Sequence, residues 1–234
     1  MNKLISKLIA FAVAGIVLGG CATSPMTISE QDTSSLYESK LTVIHYEPDP
    51  FLPMTNTKGA FAVLGVAAAV TEGKALVEEH KLVDPAINIK SSLAKDLSEA
   101  YQISDITIID ETRPYESNPE DVAAMASNEG IVLDVRTFGW GTMYYPFKTK
   151  YKVNYVAQAR LINAKDKRVI SSERCLINEA YSEQSPTYDE LMENGAELLK
   201  KKLAEASSEC AADFAQKIGV SHTASIPDNS VAHK

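Results

Sequence analysis

Three cysteines and four histidines are the residues of this 234-residue chain best suited to chemistry, and their spacing limits what they can do. The histidines are His45, His80, His222 and His233; none stands four residues from another, and none belongs to an H-E-x-x-H. No Cys-x-x-Cys occurs either, so the converging ligands that zinc needs are not indicated, and neither a metal nor a cofactor is expected. Phosphate-cradling and nucleophile-elbow patterns are missing from the sequence; Gly139-Trp140-Gly141 supplies only G-x-G. Asp105 with Asp110 and Glu111 is the nearest approach to a carboxylate pair for acid–base work. Such pairs occur throughout an acidic chain, so the residues point to no enzyme.

Cys21 stands apart from the other two cysteines, Cys175 and Cys210. It follows two lysines (Lys3, Lys7), an uncharged run over residues 8–18, and Gly19-Gly20. A basic segment, a short apolar run and small residues describe a secretory signal over residues 1–20. A spanning helix needs about 20 apolar residues, and this run stops well short. Leu18-Gly19-Gly20-Cys21 resembles the lipobox of bacterial lipoproteins. The resemblance implies that Cys21 becomes an acylated N-terminus after cleavage, with its lipid as the membrane partner. Because two or more chains hold where one holds marginally, attachment would be stable. Ala22, in place of an aspartate, implies the outer membrane facing the periplasm, with the inner membrane second. In an oxidising periplasm, Cys175 and Cys210 form an even pair that suggests a disulfide; two buried thiols are the alternative.

Removing residues 1–20 takes two lysines and no acid, so the formal charge of −8 becomes −10. Such a surface repels phosphate backbones, and nucleic acid is not an expected partner.

The elements that must carry any site follow from periodicity. Residues 21–40 read as the lipidated end and a flexible Ser/Thr-rich tether reaching roughly 60 Å when stretched. Residues 41–218 read as one α+β domain, and 219–234 as a flexible tail. A β-branched strand covers 41–46, ended by Pro48 and Pro50. Residues 59–70 are unbroken small and apolar residues, expected to be helical and continuing towards 81. That run fits a buried helix, the commoner fate, or a face for a partner. Asp84-Pro85 opens an amphipathic helix to about residue 102. A strand is expected over 103–109 and a short helix over 119–127. Three strands then follow over 131–138, 151–162 and 168–177; their one-face-buried alternation predicts an antiparallel meander. A long helix over 187–217 ends at Gly219. Together these predict an antiparallel sheet with helices packed on one face.

Aromatic residues concentrate between the first two strands of the meander: Phe138, Trp140, Tyr144, Tyr145 and Phe147. They are expected in a loop, either as an interaction surface or as a cover over the open end of the core. The function expected from sequence is a non-catalytic binding or assembly module of the cell envelope with a protein partner. The alternatives are an envelope hydrolase with an unrecognised carboxylate site, and a carrier of a small ligand or lipid.

Overall fold

The computed structural model describes residues 28–37 and 39–220. The signal segment, Cys21, the rest of the tail, His222 and His233 lie outside the described residues. The chain forms α1 (Glu30–Leu36), β1 (Lys40–Tyr46), β2 (Phe51–Met54), α2 (Asn56–Ala60), α3 (Ala62–His80) and α4 (Pro85–Tyr101). It continues with β3 (Asp105–Arg113), α5 (Pro119–Met125), β4 (Ile131–Tyr144), β5 (Tyr151–Asn163), β6 (Arg168–Asn178) and α6 (Tyr188–Ile218).

Six strands make one sheet in the order β3-β1-β4-β5-β6, with β2 also paired to β4. The fold is therefore α+β. The expected meander β4–β5–β6 is present and antiparallel, but the sheet as a whole is mixed, which corrects the antiparallel prediction. β1 runs parallel to both β3 and β4, and β2 runs parallel to β4. Adjacent parallel strands need a crossover, and the stretch containing α4 supplies it between β1 and β3. The physical signal lies in β1 itself, where Leu41, Thr42, Val43 and Ile44 are buried in succession. A strand covered on both faces carries no alternation, unlike β5.

Helices also cover both faces, not one. On the first, α4 and α6 bring Leu93, Leu97, Leu199 and Phe214 against Leu41, Leu133, Tyr155 and Leu161. On the second, Val122, Ala123 and Ala126 from α5 and the turn after it pack on Ile44, Val132 and Ile162. Asp84 caps α4 as expected, accepting a hydrogen bond from Ala86 N at 3.0 Å. α6 begins with a capping box between Thr187 and Glu190, and Gly219 at φ 83° closes it. Inside α6 the helical path breaks at Glu193–Ala196, where Asn194, Gly195 and Ala196 take positive φ. Cys175 on β6 and Cys210 on α6 form the disulfide, with Cα atoms 5.5 Å apart.

Two predicted loops are ordered elements. Residues 30–36, assigned to the tether, form α1: the Ser29 side chain accepts from Asp32 N, Asp32 pairs with Arg168, and Leu36 is buried. The composition of a tether concealed a capped helix with one apolar foot. The aromatic loop after residue 138 is instead a continuation of β4 to Tyr144, with a register shift between Thr137 and Gly139. Aromatic residues suit a pleated, half-buried strand, and that preference outweighs the glycines.

Candidate functional site

Pro48 and Pro50 divide what would be one long strand beside β4. Proline has no N–H for the ladder, so β1 stops at Tyr46 and β2 restarts at Phe51, both against β4. The break is held by Asp49. Its carboxylate accepts from Arg136 Nη2 at 2.6 Å, and its carbonyl accepts from Trp140 Nε1 at 2.6 Å. The Arg136 guanidinium lies over Tyr115 at 4.2 Å and Phe138 at 4.5 Å, so the charge is both paired and stacked. Phe51 meets Trp140 edge to face, centroids 5.1 Å apart. These two rings, with Val70, Val77, Lys74 and the acids Glu47 and Glu78, line a cavity of about 380 Å³ beside the break.

α3 borders this cavity, and its sequence places small and large residues unusually. Gly65, Ala69 and Gly73 recur every fourth position and face inward. A Cβ at Gly65 would meet Lys58 O at 1.8 Å, and one at Gly73 would meet Phe51 O at 1.7 Å. Only a bare Cα permits that approach. The large residues consequently point outward: Phe61 is 63% exposed, Val63 81%, Leu64 75%, Val66 45% and Val70 37%. This corrects the expectation of a buried helix over residues 59–70. The tip is anchored underneath, since Lys58 Nζ pairs with Glu72 at 2.6 Å and donates to Pro53 O at 2.8 Å. Tyr188 OH donates to Glu72 at 3.1 Å. Gly73→Ala is expected to lift α3 off β2, costing about 2–3 kcal/mol in urea unfolding, and to shift Trp140 emission through Phe51.

A buried polar network runs through the middle of the sheet. Asp134 accepts from Arg160 Nε at 2.5 Å, while the Arg160 terminal nitrogens donate to Ser117 O at 2.7 Å and Glu116 O at 2.9 Å. Thr137 Oγ1 donates to Asp84 at 2.5 Å and accepts from Tyr155 OH at 3.0 Å. Lys90 is buried, its Nζ 5.6 Å from the Tyr46 ring centroid. Burial raises the carboxyls of Asp84 and Asp134 above the usual range, opposed by Thr137 at Asp84 and by Arg160 at Asp134. Burial also pushes Lys90 down to about 8, with Asp84 and Asp134 opposing it. The unfolded chain then binds more protons than the folded one between pH 8 and the ordinary lysine value, so stability rises with pH in that window. The expected gain is about 2 kcal/mol between pH 8 and 9.5, read by denaturant melts. Lys90→Met should flatten that slope and stabilise the fold at pH 7. Above pH 10 the buried Tyr46 and Tyr155, held protonated by burial, reverse the trend.

The aromatic residues singled out in the sequence are not one patch. Trp140 is buried at the cavity floor, and Phe138 lies in the stack with Arg136. Tyr145 is buried, donating to Glu179 O at 3.0 Å and Ala180 O at 2.8 Å. Tyr144 lies where it would meet a Cβ on Gly59. Phe147 is fully exposed in the turn before β5. Asp105 is exposed at the start of β3, and the side chains of Asp110 and Glu111 lie outside the described residues. Among the described residues, no group of three His, Cys, Asp or Glu side chains could hold a metal, and no helix is long and apolar enough to cross a membrane. Sequence reasoning missed Glu47, Asp49 and Glu78. The Glu-Pro-Asp-Pro run over residues 47–50 was the available signal.

No family model matches the chain, and no curated protein matches it. Among solved structures it is similar to the crystal structure of a neuraminyllactose-binding hemagglutinin homolog from Helicobacter pylori, at 11% identity and a TM-score of 0.33. The match covers 76% of this chain and 82% of that one. A likeness this loose carries no functional argument.

Proposed function

We propose that the protein is a lipid-anchored, non-catalytic binding module of the bacterial cell envelope, held at the outer membrane on its periplasmic side. The anchor rests on Leu18-Gly19-Gly20-Cys21. The single observation that carries the binding role is the outward-facing apolar surface of Phe61, Val63, Leu64, Val66 and Val70. A folded domain gains by burying such residues, and a contiguous exposed patch marks a site of contact. Here the inward positions are taken by glycine and alanine, so the large residues are left for another molecule.

Two measurements test the reading. Mass analysis of the native protein is expected to find an acylated cysteine as the first residue; a chain still beginning with methionine would sink the anchor. A photo-cross-linker at position 63 in intact cells is expected to capture a protein partner, with the same probe at exposed Lys95 on α4 as the control. Equal yields at the two positions would sink the docking face. Reproducible turnover of ester, phosphate, peptide or glycan substrates by the purified chain would replace the binding role with a hydrolytic one.

A further inference from the structure

The docking face continues into the cavity at the strand break. Val63, Val66, Val70, Lys74 and Val77 follow one another at spacings of three, four, four and three residues, which is a single stripe along α3. Its last three members line the cavity floored by Phe51 and Trp140. The rim there is acidic on balance, with Glu47, Asp49 and Glu78 against one lining cation, Lys74. Asp49 is satisfied by Arg136, but Glu47 and Glu78 make no ion pair or hydrogen bond among the described residues. A stripe of valines broken by one lysine, ending at two carboxylates that have no ion partner among the described residues, is complementary to an apolar helix ending in cations.

We propose that the occupant is an amphipathic helix of a partner protein. It would lay its apolar face along Val63, Val66 and Val70 and place a lysine or arginine in the cavity between Glu47 and Glu78. The alkyl stem would cover Phe51 and Trp140 while the charged head stays at the rim. This rests on the anchored-module reading. The chain enters at the α1 end of the sheet, where Arg168 Nη1 donates to Asp32 at 3.3 Å. The patch lies at the opposite end, where Asn56 Nδ2 donates to Lys148 O at 3.1 Å. β4 spans these ends over 14 residues, roughly 40 Å, so the face stands well away from the end at which the tether enters. An acidic rim also repels anionic headgroups. A second copy fits poorly too: two-fold pairing of α3 about Val70 sets Lys74 opposite Val66 and leaves both rims without a counter-charge.

The chain has one tryptophan, and it floors the cavity, so Trp140 emission reports occupancy. The experiment uses the full acylated chain in phosphatidylcholine vesicles. The probes are three tryptophan-free helical peptides that share a leucine face and differ only in flanks of Lys/Arg, Gln or Glu. The basic peptide is expected to bind about tenfold more tightly than the acidic one, with a saturable change in Trp140 emission. Glu47→Gln with Glu78→Gln should erase most of that ratio while leaving the Gln-flanked peptide unchanged; Val63→Asp should weaken all three. Equal affinity for basic and acidic flanks, or a ratio unmoved by the glutamine changes, overturns the proposal. So does Val63-dependent dimerisation in native mass spectrometry, which makes the occupant a second copy, or quenching of a position-63 label by brominated lipid, which makes it the bilayer. Failure of the anchor reading shows separately, as a chain that does not float with vesicles whether or not peptide is present.

Discussion

Replacing Asp134 by alanine is expected to destabilise the fold by about 3–5 kcal/mol, the cost of stranding a buried cation. Arg160 is the stranded group: its side chain is 8% exposed and that of Asp134 is 1% exposed. The guanidinium does more than balance a charge. Its remaining donors go to the carbonyls of Glu116 and Ser117, which tie the segment before α5 to the middle of β5. The Tyr115 ring lies 5.3 Å from the same guanidinium. Losing the carboxylate should therefore loosen the 113–118 segment before the sheet unfolds, visible as faster amide exchange there. Arg160→Met alone should cost less, because burial raises the Asp134 carboxyl and lets it take up a proton. The double change Asp134→Leu, Arg160→Met removes both charges and should recover much of the loss. If the double variant is as unstable as the sum of the singles, the pair is not the coupled unit described.

What the sequence made legible follows the range of the forces involved. Local rules held: Asp84 caps α4, Gly219 closes α6, and the alternation of β5 places Tyr155 inside. Pairing direction did not follow, because β1 has the same β-branched composition whether its neighbours run with it or against it. Only the succession of buried residues in β1 distinguishes a strand covered on both faces. The site was half legible. Residues 59–70 stood out, but hydrophobicity alone could not say which side of α3 meets β2. That choice is made by the near-contact of Gly65 and Gly73 with backbone carbonyls, a steric fact invisible until Phe51 and Lys58 are in place. Trp140 was noticed for its ring, whereas its importance lies in the Asp49 carbonyl it holds. Asp49 itself, in a proline-flanked loop, resembled any surface acid.

Removing the Cys175–Cys210 bridge by alanine at both positions is expected to cost roughly 4 kcal/mol, or a fall in Tm of roughly 8–16 °C for a domain of this size. The two cysteines are 35 positions apart, and chain entropy in the unfolded state supplies most of that figure. The placement adds to it. α6 is interrupted at Glu193–Ala196, so its longer second half must be held to the sheet by its own contacts, and the bridge ties that half directly to β6. Cys210 sits in the same core as Leu203, Ala206, Phe214 and Ile218, with Cys175 at the edge of that core. Both sulfurs are buried, so the folded protein should resist reductant that cleaves the bridge once urea is added. The double alanine variant should also lose protection first along the second half of α6, since β6 keeps its ladder to β5. A fall in Tm under 2 °C would mean that side-chain packing alone seats α6.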